Sequence, residues 1–248
     1  MEKKRTYVVL GGSGGIGSEL CRRLLANGAN VVIGARDAET VKSQEWFSGA
    51  HAFALDATDL RSVEACVRDA AGKFGGIDGV VNCVGSMTLK PTHLTTEKDW
   101  TETINVNLTS AFAALKAGVQ AMMKTGGSIV LISSAAARIG LANHEAIAAA
   151  KAGVIGLALS AAASYAARGI RVNCVAPGLV RTPLTERITT GEKSPQASRS
   201  MHPLGRIGEP GDGASAIEWL LDPANSWVTG QVIGVDGGLA TLRASARS

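Results

Sequence analysis

Short β-branched runs alternate with longer helical patterns from one end of this chain to the other, and no other feature narrows its fold as much. TYVVL (6–10), NVVIG (30–34), HAFAL (51–55), IDGVVN (77–82), SIVLIS (128–133), IRVNCV (170–175) and QVIGVD (231–236) read as seven strands. Most are continuous apolar runs, the pattern of parallel strands buried on both faces. Helical patterns occupy 15–27, 59–74, 97–123, 143–168 and 212–221, with Asp59, Thr96 and Asn143 placed as N-caps. Parallel strands linked through helices cross over right-handed. The expectation is an α/β fold: a doubly wound, seven-stranded parallel sheet flanked by helices. No composition shift, linker or internal repeat divides residues 1–248, so a single domain is expected.

Composition excludes more than it assigns. At 248 residues, 46% hydrophobic and 19% charged, the chain can bury a full core without staples. The net charge of +4 invites a nucleic-acid reading, but apart from Lys3-Lys4-Arg5 the basic residues are scattered and no aromatics interleave them. A solvated basic surface, or attraction for a polyphosphate ligand, accounts for the charge without nucleic acid. Cys21, Cys66, Cys83 and Cys174 lie far apart, with no CxxC and no histidine at ligand spacing, as in a reduced cytoplasmic protein without a metal site. Charged residues run directly into the first strand, so no signal peptide is expected. The longest apolar stretch, 152–167, falls short of the ~20 residues of a spanning helix, so no membrane partner is expected.

LGGSGGIGSEL (10–20) joins the first strand to the first helix. Glycines there let the backbone turn tightly and approach a pyrophosphate, whose charge the free N–H groups of the helix start receive. Two registers fit: Gly12-x-Gly14-x-x-Gly17, the general dinucleotide fingerprint, and Gly11-x-x-x-Gly15-x-Gly17, with Ser13 and Ile16 between the glycines. HEAIAAAKAG (144–153) then sets one lysine in a run of alanine, isoleucine and glycine, and a lysine is almost never buried without a purpose.

In the second register the chain resembles the short-chain dehydrogenase/reductases over essentially its full length, which implies a Rossmann-type fold. Gly11, Gly15 and Gly17 match the family's glycine motif, with Leu10 where threonine is usual. Asp56, followed by Ala57, matches the acid that contacts the adenine; Asn82 and Gly85 in NCVG match the motif after the fourth strand. Asn107 matches the asparagine that holds the active-site lysine through water, Ser134 the catalytic serine, and Lys151 the lysine of Tyr-x-x-x-Lys. Pro177, Gly178, Val180 and Thr182 of APGLVRT (176–182) match the loop facing the nicotinamide amide, and VDGG (235–238) the closing strand. The resemblance implies that Lys151 binds the nicotinamide ribose and supplies positive charge.

One residue departs. Thirteen positions after Ser134, where the resemblance implies the tyrosine that protonates the substrate oxygen, stands Ile147; the only tyrosines are Tyr7 and Tyr165. A positioned general acid is worth ~10²–10⁴ in rate, while a remaining donor such as Ser134 can carry ~10²–10³. Three readings follow: His144, on the helix face of 147 and 151, supplies the proton; the substrate is an iminium or polarised acceptor that needs none; or the protein binds dinucleotide without turnover, as a sensor or partner subunit. Ser134, Lys151 and Asn107 standing together favour an oxidoreductase on a small carbonyl, imine or alcohol. For the cofactor, Asp37, twenty residues beyond Gly17, would select NAD; in the family's register the selecting position is Ala35, followed by Arg36, which suits the 2′-phosphate of NADP(H). NADP is the expectation, NAD the alternative.

The segment 182–209, punctuated by Pro and Gly, reads as a functional loop over the site. It carries Arg187, Lys193, Arg199 and Arg206 against Glu186, Glu192 and Glu209, and the reading places those charges in water rather than on an anionic substrate. The Ala- and Gly-rich face of helix 143–168 suits close helix packing; the resemblance implies a homo-oligomer, a dimer or tetramer.

Overall fold

The computed structural model describes residues 4–190 and 199–243; Lys3, Glu192 and Lys193 lie outside them. Seven parallel strands form one sheet: β1 (Thr6–Leu10), β2 (Asn30–Ala35), β3 (His51–Ala54), β4 (Gly79–Asn82), β5 (Gly127–Ile132), β6 (Ile170–Pro177) and β7 (Val232–Val235). Their order is β3-β2-β1-β4-β5-β6-β7. The order reverses between β1 and β4, where Leu10 pairs with Asn82, and the strands' carboxyl ends open a crevice there.

The helices are α1 (Gly15–Ala26), α2 (Ala38–Lys42), α3 (Leu60–Phe74), α4 (Glu97–Ile104), α5 (Ser110–Met122), α6 (Glu145–Tyr165), α7 (Glu186–Thr189) and α8 (Pro210–Leu221). Alternation along each strand divides the core into two layers. Val8, Leu10, Val80, Ile129 and Leu131 face the side covered by α3, α5 and α6. Tyr7, Val9, Val81, Val130 and Val175 face α1 and α8. At the far end of the sheet, the buried Arg171 donates from its guanidinium to the carbonyls of Leu220 (2.7 Å) and Val228 (3.1 Å), closing the C-terminal end of α8.

Three local expectations change. The pattern over 97–123 is two α-helices joined by one π-turn, Asn105–Thr109. Asn143 is not an N-cap: it has φ 63°, in the left-handed region that asparagine tolerates better than most residues, and His144 occupies the cap position of α6. Asp59 and Thr96 do cap, the latter in a reciprocal capping box with Asp99. The apolar helical run extends over Glu145–Arg168, longer than 152–167 and long enough by composition to cross a membrane. Here its buried side packs on β5 and β6 and includes Lys151.

Candidate active site

The glycine loop leaves β1 with Gly11 at φ 75°, where a Cβ would stand 2.8 Å from the Val84 nitrogen. A Cβ at Gly17 would run into the Gly11 carbonyl oxygen, so both positions are closed to larger residues. Helix α1 starts at Gly15 with no side-chain cap and no acid in its first turn. Its free N–H groups suit a phosphate. These features fit a dinucleotide pyrophosphate.

Beside the loop a cleft of about 240 Å³ is lined by Gly15, Ile16, Gly17, Gly85, Asn107 and Ser134, together with Ile147, Lys151, Pro177, Gly178, Val180 and Thr182. These twelve residues, each singled out in the sequence, thus meet at one place, with Ile147 among them. Gly11, Ser13, Arg36, Asp56, Ala57, Asn82 and His144 lie outside this lining.

Lys151 is 7% exposed, and its ammonium donates to the Ile132 carbonyl at 2.9 Å. Burial pulls its pKa down to about 8, so it is cationic at neutral pH. The thiol of Cys83, which shares the cleft, is pushed up to about 12 by burial and stays protonated. A Cβ at Gly85 would stand 3.2 Å from Asn107 Oδ1 and 3.6 Å from Lys151 Nζ, so a glycine there lets the two side chains converge. Asn107 itself reaches Ser86 and Thr103: its Oδ1 accepts from the Ser86 N–H (3.1 Å) and its Nδ2 donates to Ser86 Oγ (2.9 Å) and the Thr103 carbonyl (3.0 Å). It sits in the π-turn, whose widened ring re-aims this residue. Asn82 is a brace rather than a wall, donating to Ser110 Oγ at the start of α5 (3.1 Å).

Ser134 follows β5, and its Oγ accepts from the Ala136 N–H at 3.1 Å, which leaves the hydroxyl proton to donate elsewhere. Ser133, which sequence reasoning passed over, is buried and donates to the Lys151 carbonyl at 2.8 Å, tying the end of β5 to α6. Its signal was only the doubled serine of LISS. Thr182 folds over the glycine loop: a Cβ on Gly15 would stand 2.5 Å from Thr182 Cγ2. Tyr7 is buried in β1 and Tyr165 ends α6; neither lines the cleft.

At the adenosine end, Asp37 spends its carboxylate on its own helix. Oδ1 accepts from the N–H groups of Glu39 (3.0 Å) and Thr40 (3.1 Å), and Oδ2 from the Thr40 hydroxyl (2.6 Å). Arg36 is exposed at the end of β2, near enough for its charge to help hold the Asp56 carboxyl below its ordinary range, after the Thr58 hydrogen bonds. His144 sits apart from the cleft, on the adjoining cavity; its Nδ1 donates to the Ala142 carbonyl at 2.7 Å, leaving Nε2 as the free nitrogen. Of the loop charges, Arg187 and Arg199 are exposed and Arg206 is paired with Asp212 at 2.6 Å.

A family model described as enoyl-(acyl carrier protein) reductase matches residues 11–240. The chain is 36% identical over 245 residues to the 2,5-dichloro-2,5-cyclohexadiene-1,4-diol dehydrogenase of Sphingobium indicum, covering 96% of this chain and 98% of that one. Among solved structures, a short-chain type dehydrogenase/reductase from Mycobacterium ulcerans superposes with a TM-score of 0.93 at 33% identity, over 98% of this chain and 92% of that one. ElxO with NADP bound superposes with a TM-score of 0.90 at 31% identity, over 96% of this chain and all of that one, 100%.

Proposed function

Because the chain belongs to the short-chain dehydrogenase/reductase family, we propose that it is an NADP(H)-dependent oxidoreductase acting on a small carbonyl, imine or alcohol without the phenol its relatives are expected to use. The observation that carries this reading is the shared cleft of Ser134, Lys151, Thr182 and the glycine loop, with Ile147 as the aliphatic wall between them. A dinucleotide held by these residues would supply or accept the hydride. Lys151 offers an ammonium to the ribose, and Ser134 donates its hydroxyl proton to the substrate oxygen. His144 Nε2 is the group for the proton that Ile147 cannot move. Asn107 positions the 85–86 turn beside the lysine.

Arg36 selects the cofactor in this reading. Asp37 is committed to capping α2, while Arg36 stands exposed beside Asp56 with its guanidinium available to a 2′-phosphate. The NADP-bound relative supports the same choice. The proposal places the protein in the cytoplasm, in keeping with its four unpaired cysteines, and as a homo-oligomer joined through the exposed small-residue face of α6.

Calorimetry with NADPH and NADH tests this first. A charge-assisted hydrogen bond contributes about 1.5–3 kcal/mol, roughly 10–100-fold in affinity. NADPH is therefore expected to bind at least tenfold tighter than NADH, and Arg36→Ala to erase most of the difference. Ile147 favours one rival, a binder without turnover. Turnover of a ketone or cyclic imine that Ser134→Ala abolishes while binding persists supports the enzyme. Binding with no turnover across such a panel supports the rival, and no binding of either nucleotide overturns both.

A further inference from the structure

A second cavity, of about 290 Å³, adjoins the cleft, and the two share Met87, Ser134, Ile147, Pro177, Gly178 and Thr185 as walls. Beyond that common wall it is lined by Leu141, Leu179, Ile188, Met201 and Leu239. Among the described residues, no aspartate, glutamate, lysine or arginine lines it. Its four polar side chains divide into two kinds. Thr185 Oγ1 donates to the Val180 carbonyl at 2.5 Å, and His202 Nε2 accepts from the Leu179 N–H at 3.2 Å, so both hold the wall together. The Ser134 hydroxyl and His144 Nε2 remain for a ligand.

Resting on the oxidoreductase reading, we infer that the substrate is a compact, uncharged, largely apolar molecule, a single alicyclic ring or short branched chain with one carbonyl or hydroxyl, and not a carboxylate or phosphate. The volume lies at the small end of ligand pockets, which run to ~300–1,000 Å³. Among the described residues an anionic group here would find no counter-ion for the water it gave up, a cost proteins avoid. Lys151 lines only the neighbouring cleft, and the loop's arginines lie at the surface. One oxygen is what the two remaining polar groups can serve, and Ile147 gives that end of the cavity an aliphatic floor.

The experiment compares cyclohexanone with 4-oxocyclohexanecarboxylate, by ligand-observed NMR on the full chain with and without NADP. The neutral ketone is expected to bind at least tenfold tighter, and Leu141→Arg to narrow or reverse the ratio. Met201→Lys, at a position 48% exposed, makes the same test should Leu141→Arg fail to fold. Equal binding, tighter binding of the carboxylate, or binding of neither overturns the inference. A failure of the dinucleotide reading shows separately, as loss of NADP binding, while ketone discrimination in the nucleotide-free protein still reports on the cavity.

Discussion

Lys151 is a cation that folding disfavours and the proposed chemistry requires. Burial lowers its pKa from 10.5 to about 8, so between those values the unfolded chain holds a proton that the folded one has shed. Stability of the nucleotide-free protein therefore gains from this residue as pH rises through 8 to 10, by up to about 1.4 kcal/mol per pH unit. Affinity for the nucleotide runs the other way, since the ammonium is lost over the same interval. Thermal melts of wild type and Lys151→Met across pH 7–10 read the first effect: the wild type's stability relative to the variant should improve with pH. Calorimetry reads the second, and NADPH affinity that is flat from pH 7 to 10 would remove Lys151 from the ribose site. Ile147 poses the complementary question. It lines both cavities, so a longer side chain has open space ahead of it rather than packed core. Ile147→Tyr should fold and raise kcat/KM for ketone reduction by roughly 10²–10⁴, the worth of a positioned acid. Steady-state assays on both proteins decide it; an unchanged rate would mean that His144 or the substrate already supplies the proton.

At the scale of elements, the π-turn between α4 and α5 ties chain geometry to the site. Asn107 makes three hydrogen bonds from it, two to Ser86 and one to the Thr103 carbonyl, in a nearly water-free position. Asn107→Ala leaves the partly buried Ser86 N–H without its acceptor and should cost about 1 kcal/mol. Denaturant melts measure that cost, and weakened NADPH binding alongside it would show the 85–86 turn loosening. An unchanged melt would mean that the turn is held by backbone alone. The sequence singled out Asn107 but not the turn that carries it, because one wide turn leaves the apolar periodicity of 97–123 intact. The glycine loop and central strands were legible for the opposite reason: Gly11 and Gly17 admit no side chain, and strands buried on both faces are built mostly of apolar residues. Asn143 misled because residues that suit an N-cap also tolerate the left-handed conformation it adopts. The neutral cavity was invisible to motif reading, as its walls come from segments around 87, 141, 179, 188, 201 and 239 that only the fold assembles.

The whole molecule presents an apolar surface that none of the described residues covers. Trp100 on α4, Phe112 on α5 and Leu159 on α6 are 46%, 44% and 48% exposed, and α6 packs against both of the other helices. Around Leu159, α6 presents Ala149, Ala152, Gly156 and Ala163 to solvent, and nothing lies within 4 Å of a Cβ built on Gly156. A surface so flat lets a second helix approach closely, and burying apolar side chains there is worth about 25 cal/mol per Å². The same helix carries Ile147 and Lys151 on its inner face, so association through the outer face would also steady the site. Leu159→Arg sets a charge at the centre of that surface without touching either cavity. Light scattering after gel filtration should find wild type at two chains or more, and the variant shifted toward one chain at the same concentration. Nucleotide affinity of the dissociated variant then reads the coupling: a fall would show that assembly stiffens α6, and unchanged affinity would show that each chain holds its site alone. A wild type that elutes as one chain would mean that this face serves some contact other than self-association.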